Sequence, residues 1–449
     1  MINKRVLILL ILFTALSSCS FDNKTGIWGD AAKEKKRISE LENEQQEIIK
    51  IEKIYTSDKT FYKEIALAKN IVLPKPQNKS SWVMSNENYQ NDKGNIYLKG
   101  INNFFFKKKI GKDKFSGNKK ITSLLVLNNN IVFSDDKGTI FHVNERGGII
   151  WKKNIYKKAY KKIYKNLVFS IYKDNIYVAD NIGFIYSINL NDGQMLWIRN
   201  YEIGTKSNIK IFNNKIFLIN EDNKILCLNI DDGSLIWSVL SIKSFIKTEN
   251  LLSLALTNDG NLLAITSAAD IYKIRVDTGD ILWSRNTADS LYADATDFFI
   301  SSEIVINDDK VIFSSGNNTF LLKLENGETL WKQEVSSVAA PIVSGENIFI
   351  LSDNGYLVII EKDTGEIISS SNILKILKRK KQKTKITGFI MGSNKIYSIT
   401  LNGFLISSSA ISGKAEFYKK IGGSNISPLA INNGKLYILT DKSKILVLN

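Results

Sequence analysis

The sequence contains few of the residues on which enzyme active sites and disulfide frameworks usually depend. Its 449 residues include two cysteines, four prolines and a single histidine, His142. One histidine excludes a histidine-based catalytic triad and any metal site that needs several histidines. Cys19 and Cys227 stand in such different surroundings that a structural disulfide is not expected. The sequence also has no adjacent cysteine pair and no Cys-x-x-Cys-His haem-attachment motif.

The other candidate metal ligands have a structural interpretation. Acidic turns such as Asn220-Glu221-Asp222-Asn223 lack the closing bidentate glutamate of a calcium loop, so we interpret them as hairpin turns and expect no metal site. His142 belongs to the alternating segment TIFHV and is expected at the surface or at a strand edge. Cys227 belongs to the apolar segment KILCLNI and is expected to be a small buried hydrophobic residue.

The composition indicates a large folded domain with a basic surface. Apolar residues make up 44% of the chain, which carries a formal net charge of +16. The lysines are scattered through turns beside Asn and Asp, whereas a nucleic-acid site gathers them on one element with aromatic residues, so nucleic-acid binding is not expected. One run is denser, residues 375–385 (KILKRKKQKTK). It is either a solvated loop or a surface for anionic lipid or an acidic partner.

The first eighteen residues have the three regions of a secretory signal peptide. Lys4 and Arg5 precede an apolar run at residues 6–16, which is too short to span a bilayer, and small residues follow. The sequence Leu-Ser-Ser-Cys ending at Cys19 resembles a bacterial lipobox, in which the cysteine is acylated and becomes the first mature residue. The alternative is an ordinary signal peptide that contains a cysteine. With Ser20 next, the lipobox interpretation implies an outer-membrane lipoprotein that faces the periplasm.

Residues 19–81 are polar and are predicted to be a lipidated tether. Within them, residues 31–55 have a helix-forming composition, but their apolar residues recur only loosely at helical spacing. We therefore expect a tether that can form a short helix.

A phrase of three apolar strands followed by a Gly turn, which is Asp-Gly or Asn-Gly in three copies, and a tryptophan strand recurs along the rest of the chain. The five copies that keep the tryptophan place it at Trp151, Trp197, Trp237, Trp283 and Trp331. Two later copies place Ser369 and Phe417 at the same position. The chain then ends after three strands, so another segment must complete the last unit. Phe106, in INNFFFKKKIG, occupies the equivalent position at the other end of the domain.

These eight positions recur at intervals of 38 to 48 residues, which is the length of one four-stranded unit. Because a four-stranded sheet cannot bury both faces alone, the units are predicted to stack around an axis. The sequence therefore predicts an all-β, eight-bladed propeller over residues 82–449. The strand near Phe106 is predicted to pair with the strands of residues 435–448 and close the ring. An open solenoid is the alternative, but it would leave a long exposed edge at each end.

The recurring tryptophans are interpreted as packing residues. Each one follows a Gly turn, where its indole can cover the seam between blades and donate its N–H to a backbone carbonyl. Because Phe106 and Phe417 occupy the same position, the position requires bulk more than it requires one chemistry.

The closing phrase resembles the repeats of the pyrroloquinoline quinone-like (PQQ-like) propeller family, over about residues 82–449. Within that family, a lipobox followed by eight repeats is similar to the BamB lipoproteins of the outer-membrane β-barrel assembly machine, and the segment around Trp82 resembles their lead-in to the first blade. The resemblance implies a scaffold without cofactor or catalysis. It would bind the barrel-inserting subunit BamA, the other assembly-machine lipoproteins and unfolded outer-membrane proteins.

The resemblance also implies a partner-binding loop at about residues 241–251, in which we single out Phe245, Ile246 and Lys247. The alternative is that Phe245 and Ile246 pack under the next blade. Two other functions remain open. One is a quinoprotein-type oxidoreductase, which the same repeat family contains. The other is a glycan-binding or peptidoglycan-binding propeller that would use exposed aromatic residues, with candidates at Tyr89, Tyr97, Phe104, Phe105 and Tyr292.

Overall fold

The computed structural model describes residues 19–21, 28–51, 61–115, 123–241, 248, 251–288, 300–422 and 426–449. Near the amino terminus, strands β1 (Cys19–Phe21) and β2 (Trp28–Asp30) pair antiparallel and lead into helix α1 (Ala31–Ile51). Within these ranges, no helix has both the length and the apolar character that a membrane span requires. Strands β3 (Ser81–Trp82) and β4 (Phe104–Lys109) precede the repeats.

The remaining strands form eight antiparallel sheets in chain order. Blades 1 to 4 comprise β5 (Leu125–Leu127), β6 (Asn130–Ser134), β7 (Thr139–Val143) and β8 (Ile149–Asn154); β9 (Leu167–Tyr172), β10 (Asn175–Asp180), β11 (Phe184–Asn189) and β12 (Met195–Asn200); β13 (Lys210–Phe212), β14 (Lys215–Ile219), β15 (Lys224–Asn229) and β16 (Leu235–Leu240); and β17 (Leu254–Leu256), β18 (Asn261–Ile265), β19 (Asp270–Arg275) and β20 (Ile281–Asn286).

Blades 5 to 8 continue the same pattern around the ring. They comprise β21 (Val305–Asn307), β22 (Lys310–Ser315), β23 (Asn318–Lys323) and β24 (Thr329–Gln333); β25 (Ile342–Ser344), β26 (Asn347–Leu351), β27 (Tyr356–Glu361) and β28 (Ile367–Asn372); β29 (Ile386–Gly392), β30 (Lys395–Thr400), β31 (Phe404–Ser409) and β32 (Ala415–Lys420); and β33 (Ala430–Asn432), β34 (Lys435–Leu439), β35 (Lys444–Leu448) and, as the fourth strand, β4.

The ring closes through the pairing of β4 with β35, where Phe106 lies opposite Val447 and Lys108 opposite Ile445. The first strands of neighbouring blades lie against one another and surround the axis, and the fourth strands form the outer rim. The predicted all-β, eight-bladed propeller and its closure by an amino-terminal strand are therefore confirmed.

Local sequence explains the hairpins within each blade. The turn between β13 and β14 is Asn213-Asn214, with φ of 48° and 56°, the left-handed conformation that a two-residue hairpin requires and that asparagine tolerates. The middle strands of a blade are buried on both faces because a neighbouring blade packs on each side. In β11, for example, every residue from Phe184 to Ile188 is buried.

This two-sided burial corrects one prediction and agrees with another. His142 was expected at the surface or at a strand edge, but it is buried in β7 and contacts Trp151, with 5.6 Å between the ring centroids. Burial lowers the pKa of His142. The alternating pattern was misleading because both faces of β7 lie inside the ring. Cys227 in β15 is fully buried, as expected, and burial raises the pKa of its thiol to about 12.

Candidate interaction surface

The two flat faces of the ring are built from different loops. Turns between the first and second strands and between the third and fourth strands form one face, which we call the hairpin face. Turns between the second and third strands, together with the connections from one blade to the next, form the other, which we call the connection face. Backbone contacts join these two kinds of loop, for example from Lys165 N to Asp136 O (3.4 Å) and from Leu401 N to Lys385 O (2.7 Å).

At five seams between blades, a tryptophan of one blade contacts the turn glycine of the next. The indole of Trp283 donates its N–H to Leu324 O (3.2 Å), and a Cβ at Gly327 would lie 2.7 Å from the same indole. The same arrangement recurs for the other four pairs: Trp151 with Gly193, Trp197 with Gly233, Trp237 with Gly279, and Trp331 with Gly365. In this structure the five indole N–H groups are thus bonded to backbone.

The seam between blades 6 and 7 is built differently because Ser369 replaces the tryptophan. Here residues 61–73 cross the outer edge of blade 6. Ile65 exchanges two backbone hydrogen bonds with Ser370 in β28, at 2.9 and 3.0 Å, and Ala68 N donates to Ile368 O (3.1 Å). Ile71 then enters the apolar cluster between the two blades and is 7% exposed. An extended segment of this chain therefore occupies the outer edge of one blade.

From blade 6 the chain passes to the axis, where residues 79–99 follow the inner wall of the ring. We call these residues the axial segment. They meet the blades in order, beginning with Trp82, which pairs with Val126 of blade 1. Further backbone bonds are donated by Ile171 N of blade 2 to Val83 O (2.7 Å), by Leu256 N of blade 4 to Tyr89 O (2.9 Å), and by Ile306 N of blade 5 to Gln90 O (3.0 Å).

The second half of the axial segment continues in the same sense. Gly94 lies beside Val343 O of blade 6, Ser393 N of blade 7 donates to Ile96 O (2.8 Å), and Lys99 N donates to Gly434 O of blade 8 (2.9 Å). The contacts fall at the carboxyl ends of the first strands, so the axial segment lies at the hairpin-face end of the axis.

Asn91 and Lys210 join the axial segment to blades 3, 4 and 5. The Asn91 amide donates to Leu254 O (2.9 Å) and Ile304 O (2.7 Å). The Lys210 Nζ of blade 3 donates to Asn91 Oδ1 (2.6 Å) and to two backbone carbonyls of the axial segment, at 2.7 and 2.9 Å. Burial lowers the pKa of Lys210 to about 7. A single polar cluster therefore links three blades at the axis.

Helix α1 lies on the connection face, against blade 2. Arg37 donates to Ile182 O, to Glu202 O (3.1 Å) and to the Tyr160 hydroxyl (3.1 Å). Glu34 accepts a hydrogen bond from the Tyr160 hydroxyl (2.8 Å), and Ile38 is 9% exposed. These contacts fix the first half of the helix on the ring.

The basic run at residues 375–385 is an ordered connection between blades 6 and 7. It begins within the short 3₁₀ turn Ile373–Ile376 and contains the turn Arg379–Lys381, and Leu377 is 2% exposed. Lys375 pairs with Glu64 (2.7 Å) and Lys385 with Asp353 (2.9 Å). The run is therefore packed onto the connection face through its apolar residues.

The structure does not gather the remaining candidate residues into one site. Tyr89 contacts Phe212 near blade 3, with 5.5 Å between ring centroids, whereas Tyr97 lies beside Gly434 of blade 8. Phe104 and Phe105 lie on the outer strand β4, each 37% exposed. Cys19 begins β1. Phe245, Ile246, Lys247 and Tyr292 lie outside the described residues.

Among the residues that the structure describes, no group of three or more His, Cys, Asp or Glu side chains is placed to hold a metal ion. The acidic turn at Asn220 is stabilised internally, because Asn220 Oδ1 accepts from the backbone N–H groups of Asp222 (3.1 Å) and Lys224 (2.9 Å).

Sequence reasoning missed the axial segment and the residues around Asn91. The only local signal for them was a cluster of asparagines in SNENYQNDKGN, which resembles an ordinary loop.

The comparisons with known proteins identify the family. The model of the family described as outer membrane protein assembly factor BamB matches residues 136–371. The chain belongs to this BamB family. A BamB of Shewanella oneidensis is 25% identical over 229 residues, which cover 43% of this chain and 53% of that protein. The match thus spans about half the length of this curated relative.

Solved structures agree with the fold. BamB from Moraxella catarrhalis matches with a TM-score of 0.65 and 14% identity, over 77% of this chain and 98% of that one. A quinohemoprotein alcohol dehydrogenase from Comamonas testosteroni matches with a TM-score of 0.62 and 10% identity, over 82% of this chain and 80% of that one. At these identities, the likeness to the two solved structures shows the propeller fold alone. The Moraxella BamB and the alcohol dehydrogenase share that fold.

Proposed function

We propose that the protein is a non-enzymatic scaffold of the outer-membrane β-barrel assembly machinery, which binds a BamA-like barrel-inserting subunit beside the other assembly lipoproteins. The observation that carries the proposal is the match of more than half of the chain to the BamB family. The seams support a scaffold role, because the five tryptophans of the repeat pack between blades and bond to backbone carbonyls. No cofactor is part of the proposal.

The proposed location is the periplasmic side of the outer membrane, with acylated Cys19 as the anchor. Two or more acyl chains hold a protein on a bilayer stably, whereas a single chain binds only reversibly. Cys19 precedes α1, which is fixed on the connection face through Arg37. The anchor would therefore hold the ring close to the membrane.

The proposed contact with the barrel-inserting subunit is the connection between blades 3 and 4, through Phe245, Ile246 and Lys247. The residues that flank this loop are buried and bonded. Ser241 is 4% exposed, and Leu252, 2% exposed, donates its N–H to Lys206 O (2.7 Å). These flanking residues fix the two ends of the connection at the connection face, and fixed ends lower the ordering cost of binding.

The proposed contact with unfolded outer-membrane proteins is the outer rim. The fourth strands of blades 1 to 5 carry aliphatic side chains that are 42 to 48% exposed: Ile149, Ile150, Leu196, Leu235, Ile236, Ile281, Leu282 and Leu330. An extended polypeptide can add to a sheet edge through backbone hydrogen bonds, while pockets for alternate side chains select it. Residues 65–68 of this chain already pair with β28 in this way. The clients would be extended segments of alternating polarity.

The proposal is tested by affinity capture from detergent-solubilised envelopes with the tagged full-length chain. We expect the barrel-inserting subunit to be recovered, and expect recovery to fall at least tenfold when Phe245, Ile246 and Lys247 are replaced by alanine. A matched control replaces Ile411 and Lys414 on the hairpin face, where Ile411 is 47% exposed, and should leave recovery unchanged. The Cys19→Ala chain controls for localisation.

The alternatives give different captures from the same experiment. Recovery of peptidoglycan fragments, or of a redox partner, in place of any assembly subunit would leave the propeller and the family standing but contradict the proposed function. Equal loss in the loop variant and in the hairpin-face control would contradict the proposed loop, because the effect would then not depend on the face.

A further inference from the structure

Charge is divided unequally between the two faces of the ring. The turns between third and fourth strands on the hairpin face are acidic in consecutive blades, with Asp192, Asp231, Asp232, Asp277, Glu325 and Asp363. The basic residues of the connection face are concentrated instead in two connections, at residues 155–166 and 373–385. Four of these six carboxylates pair with basic residues of the same face, for example Asp277 with Lys215 and Asp363 with Lys310. The two basic connections are not balanced in this way.

Six exposed side chains of these two connections form what we call the basic crescent: Lys158, Lys161, Lys162, Lys378, Arg379 and Lys383. Within the described part of the chain, none of the six makes an ion pair. Lys114, in the connection from β4 of blade 8 to β5 of blade 1, donates its Nζ–H to Lys161 O (2.9 Å). Like charges held together on one surface repel, so the arrangement is relieved by an anionic partner.

The crescent is held in place by the apolar residues of the same connections. Tyr160 and Ile163 are 1% and 0% exposed between the lysines of the first connection. In the second, Leu374 and Leu377 are buried and Gln382 Nε2 donates to Leu377 O (2.8 Å). Because the apolar residues point into the ring, the basic residues are directed to solvent on one surface.

The amino-terminal segment leads to the same surface. Tyr160, which lies between the crescent lysines, accepts a hydrogen bond from Arg37 of α1 and donates one to Glu34. In the β1–β2 pair Cys19 lies opposite Asp30, which directly precedes α1. An acylated Cys19 would therefore attach the protein to a membrane on the side of the crescent.

We infer that the basic crescent lies against an anionic lipid bilayer, so that the connection face is turned to the membrane and the acidic hairpin face away from it. This inference rests on the lipid anchor in the proposed function. Once the anchor has brought the ring to the bilayer, phospholipid headgroups are at high effective concentration, and several basic side chains can engage them together. Ser241 and Leu252, which flank the proposed partner loop, lie on the same face but outside the crescent, so both contacts can form at once.

The test uses the acylated full chain reconstituted into vesicles of phosphatidylcholine, with or without phosphatidylglycerol. A fluorophore is attached at Lys378→Cys in the crescent or at Asp231→Cys on the hairpin face, and a quencher is placed on the lipid headgroups. Cys227 is buried and does not compete for label. We expect several-fold stronger quenching at position 378 with phosphatidylglycerol, lost in high salt, and little quenching at position 231 in either vesicle.

Charge reversal supplies the matched comparison. Lys161→Glu, Arg379→Glu and Lys383→Glu together should abolish the lipid-dependent quenching at position 378. Reversal of Lys173, Lys362 and Lys414 on the hairpin face changes the net charge equally and should not affect it. Equal quenching of both labels, or no dependence on phosphatidylglycerol, would overturn the inference.

Failure of the anchor is distinguishable from failure of the crescent. Flotation of the acylated chain with phosphatidylcholine vesicles reports the anchor alone. If flotation fails, the mature chain from Cys19 onward is prepared without acylation and tested for binding to phosphatidylglycerol vesicles at low salt. Binding that the crescent reversal removes would sustain the inference without the anchor, and absence of binding would refute it.

Discussion

At the scale of single residues, the seams depend on a contact between a tryptophan of one blade and a glycine of the next, which has no side chain. A tryptophan of one blade fits only because the turn of the next blade has glycine, which both adopts positive φ and leaves space for the indole. The tryptophan was visible in the sequence as a repeated motif. Its partner glycine was also visible, but as a turn signal, so the contact between them had to come from the structure.

Replacement of Gly327 by alanine should separate these two requirements. Gly327 has φ of 71°, and its added Cβ would lie 2.7 Å from Trp283, whereas Gly316 has φ of 57° and open space around it. Gly316→Ala should lower the free energy of unfolding by about 1 kcal/mol, from backbone strain alone. Gly327→Ala should cost about 3 kcal/mol, because the indole must also move. Urea unfolding measures both, and similar losses would mean that the seam yields easily.

Lys210 should make stability depend on pH. Its pKa is lowered to about 7 in the folded state by burial, compared with about 10.4 for a lysine in an unfolded chain. Between these values the unfolded chain binds more protons, so the free energy of unfolding should rise with pH, by about 2 to 3 kcal/mol from pH 6 to pH 9. Lys210→Met should lack this rise.

A matched lysine controls for the rest of the titration. Lys310 pairs with Asp363 (3.2 Å), which raises its pKa, so its contribution is constant from pH 6 to pH 9 and is lost only at higher pH. Lys310→Met should therefore preserve the rise seen in the unaltered protein. If Lys210→Met also preserves it, the Lys210 ammonium is stabilised by its three acceptors and does not titrate in this range.

At the scale of elements, the blades could be predicted and the axial segment could not. Hairpin turns and the tryptophan phrase are local signals, repeated at nearly constant spacing, so strand order and blade number followed from the sequence. The axial segment has no repeat, and Asn91 contacts Leu254 and Ile304, which are far away in sequence. Likewise, Ser369 was recognised as a missing tryptophan, but nothing nearby indicated that residues 61–73 cross that blade.

Asn91→Gly should show how much the axial segment contributes. Glycine keeps the positive φ of 60° at this position but removes the amide that bonds to blades 4 and 5 and accepts from Lys210. Leaving these buried partners unpaired should lower the free energy of unfolding by about 3 kcal/mol. Asn128→Gly, at an exposed hairpin position with φ of 50°, should change it by less than about 1 kcal/mol.

Equal effects of the two glycine substitutions in chemical denaturation would contradict a fastening role for Asn91. The axial cluster would then be a set of replaceable contacts, and the stability of the ring would come from the seams and the closing pair alone.

At the scale of the whole molecule, the ring is closed by one non-local pairing, in which strand β4 supplies the fourth strand of blade 8. The sequence predicted this closure because the last repeat lacked its outer strand and Phe106 matched the tryptophan position. It did not predict that the two closing strands would place like charges together. Lys109 lies opposite Lys444, and Lys444 has a pKa lowered by burial and by the nearby Lys107.

Lys444→Glu should therefore strengthen the closure of the ring. A pair of like charges directly across two strands is destabilising and an opposite pair is stabilising, each by a fraction of a kcal/mol, so the change should raise the free energy of unfolding by about 1 kcal/mol. Because the protein is strongly basic, any Lys-to-Glu change also relieves general repulsion. Lys414→Glu, at an exposed turn of blade 7, changes the net charge equally without touching the closure. A larger rise in Tm for Lys444→Glu than for Lys414→Glu would assign the gain to the β4–β35 pair, whereas equal rises would assign it to net charge alone.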